Sequence, residues 1–92
     1  MESRRVHVLI AGIVQGVFFR SFMKEKAQEL GVKGWVKNRV DGTLESVMEG
    51  KKDAVDELIS WCRKGPPMAD VDYIHLERED FRDEFKSFNI EY

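Results

Sequence analysis

RRVHVLIAGIVQGVFFRSFMKEKAQELG (Arg4–Gly31) contains the change of period that decides how this chain folds. In its first part Val6, Val8 and Ile10 alternate with Arg5, His7 and Leu9, the two-residue repeat of a strand with one apolar face. From Arg20 to Leu30 the repeat lengthens. Phe19, Phe22, Met23, Ala27 and Leu30 recur at three- and four-residue spacing, while Lys24, Glu25, Lys26, Gln28 and Glu29 fall on the other side. That is an amphipathic helix, and Gly31 ends it. Between the two lies GIVQGVFFR (Gly12–Arg20), which joins two glycines, an amide, an apolar run and one arginine. A cation closing such a turn needs a partner.

The same reading extends along the chain. KGWVKNR (Lys33–Arg39) predicts a second strand, VDG (Val40–Gly42) a hairpin turn, and TLESVMEG (Thr43–Gly50) the returning strand. In the returning strand Leu44, Ser46 and Met48 alternate with Glu45, Val47 and Glu49. KKDAVDELISWCRK places Ala54, Val55, Leu58, Ile59 and Cys62 at helical spacing, and Gly65, Pro66 and Pro67 stop that helix. ADVDYIHLERE (Ala69–Glu79) is a strand whose imperfect alternation leaves room for a bulge. EDFRDEF (Glu79–Phe85) reads as a charged connector, and KSFNIEY (Lys86–Tyr92) as a final strand with Phe88, Ile90 and Tyr92 alternating. The order is β-α-β-β-α-β plus one terminal strand. With right-handed crossovers this is an α+β, ferredoxin-like split βαβ sandwich, both helices on one face of a mostly antiparallel sheet. The partner of the last strand is not specified by the pattern.

Composition narrows the function classes. With 92 residues, 42% hydrophobic and 35% charged, residues 1–92 are expected to form one globular domain. No apolar run approaches the length of a membrane span, and MESRRVHVLI alternates like a strand rather than a signal peptide. The single cysteine, Cys62, fits a reducing, cytoplasmic setting. The net charge of −2 is unevenly placed: residues 1–50 hold eight Lys/Arg against six Asp/Glu, residues 51–92 seven against eleven. The basic excess accompanies the Gly12–Arg20 loop, which suits an anionic ligand; there is no dense basic face for nucleic acid.

Two readings of the loop compete. Amides of Gln15, Gly16, Val17, Phe18 and Phe19 beside a helix N-terminus make an anion cradle, Gly16 lets an anion approach the backbone, and Arg20 grips a phosphate through its planar fork. Otherwise the segment is a tight strand-to-helix connection and Arg20 a surface ion pair. It is not a nucleotide-triphosphate loop, having no Gly-Lys-Ser/Thr ending. Asn38, which shares a strand face with Val36, is either a satisfied turn residue or a group that holds a water against a bound phosphorus.

Together, GIVQGVFFR and GWVKNRVDGTLESVMEG resemble the two signature stretches of the acylphosphatases. In words these are Gly-x-Val-Gln-Gly-Val-x-aromatic-Arg and Gly-aromatic-x-basic-Asn-x-x-x-Gly-x-Val with a later Gly. Asn38 follows Arg20 by eighteen positions, and the likeness extends over nearly the whole chain; Leu44 stands where the pattern usually has Val. The resemblance implies an acylphosphatase that hydrolyses a carboxyl–phosphate anhydride to carboxylate and inorganic phosphate. Arg20 would bind the phosphoryl group, the backbone from Gln15 to Phe19 would complete the cradle, and Asn38 would position the attacking water. It implies no metal and no organic cofactor, and we expect a cytoplasmic monomer without nucleic-acid or membrane partners. The alternative is a non-catalytic acyl or carbamoyl phosphate module, or a nucleic-acid-binding one, on the same fold.

Other candidates have plainer readings. Cys62 on an apolar helix face is a buried thiol rather than a nucleophile. His7 and His75 lack the spacing of a zinc site, and Asp53/Glu57 and Asp80/Glu84 are solvated pairs. Phe19 and Phe22 are expected in the core. Phe18 either joins them or lines the acyl side of the pocket.

Overall fold

The alternation beginning at Ser3 becomes strand β1 (Ser3–Ile13) in the computed structural model, which describes residues 2–92. The remaining elements are α1 (Phe19–Leu30), β2 (Lys33–Asn38), β3 (Leu44–Lys51), α2 (Lys52–Lys64), β4 (Asp70–Glu79) and β5 (Phe88–Ile90). The sheet runs β4-β1-β3-β2-β5, antiparallel except where β5 joins β2 in parallel. The ferredoxin-like order read from the sequence therefore stands. The undecided last strand becomes an edge strand, and Glu91 N–H extends its pairing by donating to Val36 O at 2.8 Å.

One face of the sheet carries Val6, Val8, Ile10, Val36, Leu44 and Met48, all buried under the two helices. Phe19, Met23 and Ala27 from α1 meet Val55, Leu58, Ile59 and Cys62 from α2 over this face. Ser46, also buried there, donates its hydroxyl to Trp35 O at 2.7 Å. Phe22 departs from expectation: it is 44% exposed. The buried stripe of α1 is narrow, with residues four apart, and Phe22 sits about 100° around the helix from Met23. The bulge in β4 is present, because Ala11 pairs with Tyr73 but Gly12 with Val71. Gly12 is required at this irregularity, since a Cβ there would press on the backbone of Asp70 and Asp72.

The other face holds a feature that periodicity did not announce. Arg5, only 6% exposed, donates from Nε to Glu79 at 2.8 Å and from Nη1 to Glu49 at 3.3 Å, and also pairs with Glu84. Glu49, 2% exposed, accepts the backbone N–H groups of Arg82, Asp83 and Glu84 at 2.8, 2.9 and 3.2 Å. The charged connector after β4 is thus pinned across the sheet, with Phe85 lying 5.1 Å from the Arg5 guanidinium carbon. Burial alone would lower the Arg5 pKa, but its hydrogen bonds to Glu79, Glu84 and Glu49 outweigh this and raise it. For Glu49, burial pushes upward, yet the amides of Arg82 and Asp83, then Arg5, hold the carboxyl below the ordinary range.

Glu49→Gln leaves Arg5 short of a buried anion and should lower the unfolding free energy by about 3 kcal/mol in chemical denaturation. A carboxyl whose folded pKa is depressed stabilises above its ordinary value, near 4.5, and loses that contribution as pH falls below it. Wild-type stability should therefore decline below about pH 4.5 more steeply than that of Glu49→Gln.

Candidate active site

Three buried apolar side chains hold the segment between β1 and α1. Val14, Val17 and Phe19 point into the core, and Phe19 packs edge-on against Trp61 with ring centroids 5.6 Å apart. With these anchored, the backbone between them curls outward. Gly16 takes φ +75°, a left-handed conformation that suits glycine, and Phe18 takes φ +63° immediately before the helix. The first turn of α1 has no side-chain cap and no acidic residue. Among the described residues, the backbone N–H groups from Gly16 to Ser21 meet no acceptor, and the first bond is Phe22 N–H to Phe18 O at 3.1 Å. Unmet donors at a helix N-terminus present partial positive charge to whatever occupies the space before them.

That space is a cleft of about 180 Å³. Gly16, Phe18, Arg20 and Ser21 line it from the loop and the first helical turn, with Val14 and Phe19 at its floor, and Asn38 closes it from β2. Pair registers explain the meeting. Asn38 is opposite Leu44, and Leu44 is also opposite Ile10, so the end of β1 and the end of β2 share one edge of the sheet. Asn38 lies on the helix-covered face with Val36, exposed, and among the described residues its side chain has no hydrogen-bond partner.

Arg20 makes no salt bridge among the described residues. Its guanidinium carbon lies 5.3 Å from the centre of the Tyr92 ring. The surface ion pair considered for it is absent, and its fork remains open to an anion. Of the five loop residues singled out, Gly16, Phe18 and Phe19 border the cleft, while Val17 is buried in the core. Gln15 turns aside: its Nε2 donates to Arg39 O at 2.7 Å and to Thr43 O at 3.0 Å, tying the loop to the β2–β3 turn. Asp41 fixes that turn by accepting Thr43 N–H at 3.0 Å and the Thr43 hydroxyl at 2.6 Å.

Comparison with known proteins gives this geometry its setting. The family model described as Acylphosphatase matches residues 6–90. The chain belongs to the acylphosphatase family. It is 55% identical over 91 residues to an acylphosphatase of Pyrobaculum aerophilum, spanning 98% of this chain and 96% of that one. With an acylphosphatase of Pelotomaculum thermopropionicum it shares 47% over 90 residues, at 98% of each chain. The crystal structure of acylphosphatase from Bacillus subtilis superposes with a TM-score of 0.93 at 31% identity, covering 97% of this chain and 99% of that one. Membership places the chain among acylphosphatase enzymes, as its two motifs led us to expect.

Two residues escaped the motif reading, one lining the cleft and one beside it. Ser21 follows Arg20 in the first helical turn, a position from which a hydroxyl reaches the same opening. Tyr92, expected to continue β5, leaves the strand instead and stands exposed beside Arg20. Elsewhere the readings divide: Glu84, taken with Asp80 as a solvated pair, is instead engaged by the buried Arg5. Cys62 is fully buried and its burial pushes the thiol pKa up, away from thiolate chemistry. His7 lies on the open sheet face with Nε2 2.7 Å from Glu45, whose carboxyl that contact holds low.

Gln15→Ala removes both ties between loop and hairpin. A loss of about 1 to 2 kcal/mol of unfolding free energy is expected in urea titrations, and no change would mean the loop is held by its apolar anchors alone.

Proposed function

We propose that this chain hydrolyses acyl phosphates, with Arg20 and the loop amides holding the phosphoryl group and Asn38 aiming the water. One observation carries the reading: a small cleft gathers an arginine, a helix N-terminus and an asparagine that, among the described residues, have no carboxylate partner, no acceptor for the first amides and no side-chain hydrogen bond respectively. The first two suit the three peripheral oxygens of a phosphoryl group. The third suits a water, which an amide can hold through its oxygen and its NH₂ together. The lone buried cysteine fits a reducing, cytoplasmic setting.

The chemistry asks little more. The water oxygen bonds to phosphorus while the phosphorus–oxygen bond to the acyl group breaks, its electron pair leaving on the carboxylate. A carboxylate of low pKa departs without a strong general acid. Asn38 is no base, so the proton of the water passes to a phosphate oxygen or to solvent. What remains is positioning and charge stabilisation, which Arg20 and fixed amide dipoles supply to a loose, anionic transition state.

Benzoyl phosphate hydrolysis in the presence of a chelator tests the reading. Asn38→Ala should fold, bind inorganic phosphate and lose about 3–4 kcal/mol of transition-state stabilisation, on the order of a hundred- to a thousandfold in kcat. Wild-type turnover in that variant would remove the water-positioning role. Arg20→Lys loses the planar fork and should bind phosphate weakly as well as turn over slowly. Near-normal phosphate affinity in Arg20→Lys would count against the clamp.

A further inference from the structure

Phe18 breaks two local rules at once. It sits at the N-cap of α1, where Ser, Thr, Asp or Asn would satisfy a free amide, and its side chain makes no capping bond. Its backbone is left-handed, φ +63° and ψ +22°, a region that Gly and Asn enter readily and bulky residues do not. The only other described non-glycine residue with positive φ is Asp83, of a type that tolerates it. Nor does Phe18 gain burial in return: 68% of it is exposed. Rule-breaking of this kind, observed beside a cleft, points to use rather than to packing.

We propose that Phe18 determines which acyl group the enzyme prefers, and that the preferred group is flat and apolar. This rests on the acyl phosphate reading above. In-line displacement puts the leaving carboxylate on the side of phosphorus opposite the attacking water. If the water sits at Asn38, the acyl group departs from β2 toward the wall built by the loop and α1. On that wall Val14 and Phe19 are buried, Gly16 has no side chain, and Arg20 and Ser21 are polar. Among the residues that line the cleft itself, Phe18 is the exposed apolar one, and an aromatic face takes a flat partner best; the Tyr92 ring beside Arg20 belongs to the neighbouring groove. The groove flanking Asn38 on its other side lies on the side of the water and is polar, Lys37 and Arg39 being balanced by Asp41 and Glu45, with both cations 3.7 Å from Glu45.

The test compares kcat/KM for benzoyl and acetyl phosphate in wild type, Phe18→Asn and Phe18→Tyr. The ratio of the two values is the readout, because a general loss of activity does not move it. Phe18→Asn should lower the benzoyl-to-acetyl ratio about tenfold, the size of one lost aromatic contact, mainly through KM for benzoyl phosphate. Asn suits a left-handed N-cap, so its Tm should match or exceed that of wild type, and Phe18→Tyr should restore the ratio. An unmoved ratio in folded Phe18→Asn would overturn the proposal, as would a large drop in Tm, which would make Phe18 a packing residue. Failure of wild type to hydrolyse either substrate would instead defeat the acyl phosphate reading itself.

Discussion

Leu44 is paired with Ile10 on one side and with Asn38 on the other, and the site depends on that double register. Leu44 is wholly buried, as are Ile10 and Val36 beside it. A slip of β2 by one residue along β3 would turn Val36 out of the core and Asn38 away from the cleft, at about 2 kcal/mol for the buried aliphatic side chain exposed. The hydrophobic effect therefore locks the register. The register in turn sets the face and the end of the sheet on which Asn38 stands. A polar residue whose side chain makes no hydrogen bond among the described residues is positioned by the apolar neighbours on its strand.

Two arginines, Arg5 near the start of β1 and Arg20 in the first turn of α1, show how burial divides their uses. Arg5 lies within the protein and is saturated by Glu49, Glu79 and Glu84. An unpaired charge there would be costly, and the network doubles as the anchor of the connector leading to β5. Arg20 is only half-buried, so water can reach it, and it stands without a carboxylate among the described residues and rests against the ring of Tyr92. The connector links the two. By carrying the chain from β4 to the free edge of β2, it brings Tyr92 beside Arg20.

The loop between β1 and α1 is stiff where it is apolar and unsatisfied where it is polar. Val14, Val17 and Phe19 fix its course, and Gln15 spends its side chain on the hairpin rather than on the cleft. The amides left over, and the uncapped start of α1, would be a defect in an ordinary turn. Beside Arg20 and an Asn38 side chain without a hydrogen-bond partner among the described residues, they are the feature on which the proposed anion site rests.

Elements were legible in the sequence because their signals are local. The period change after β1, Gly31 after α1, Pro66 and Pro67 after α2, and the irregular alternation of β4 all lie within a few residues of what they determine. Arg20 and Asn38 were legible for a different reason, since both sit in motifs whose spacing could be compared with a family. Phe22 was misplaced because periodicity marks a helix face but not how wide a stripe the neighbours cover. By itself, then, the sequence determined the helices, the strands, the α+β class and the two residues that face each other across the cleft. Only the tertiary structure decided the parallel docking of β5, the burial of Arg5 against Glu49, the diversion of Gln15 and the approach of Tyr92 to Arg20. Each of these joins residues far apart in the chain, and no local period encodes which distant partner will satisfy a buried charge or an open strand edge.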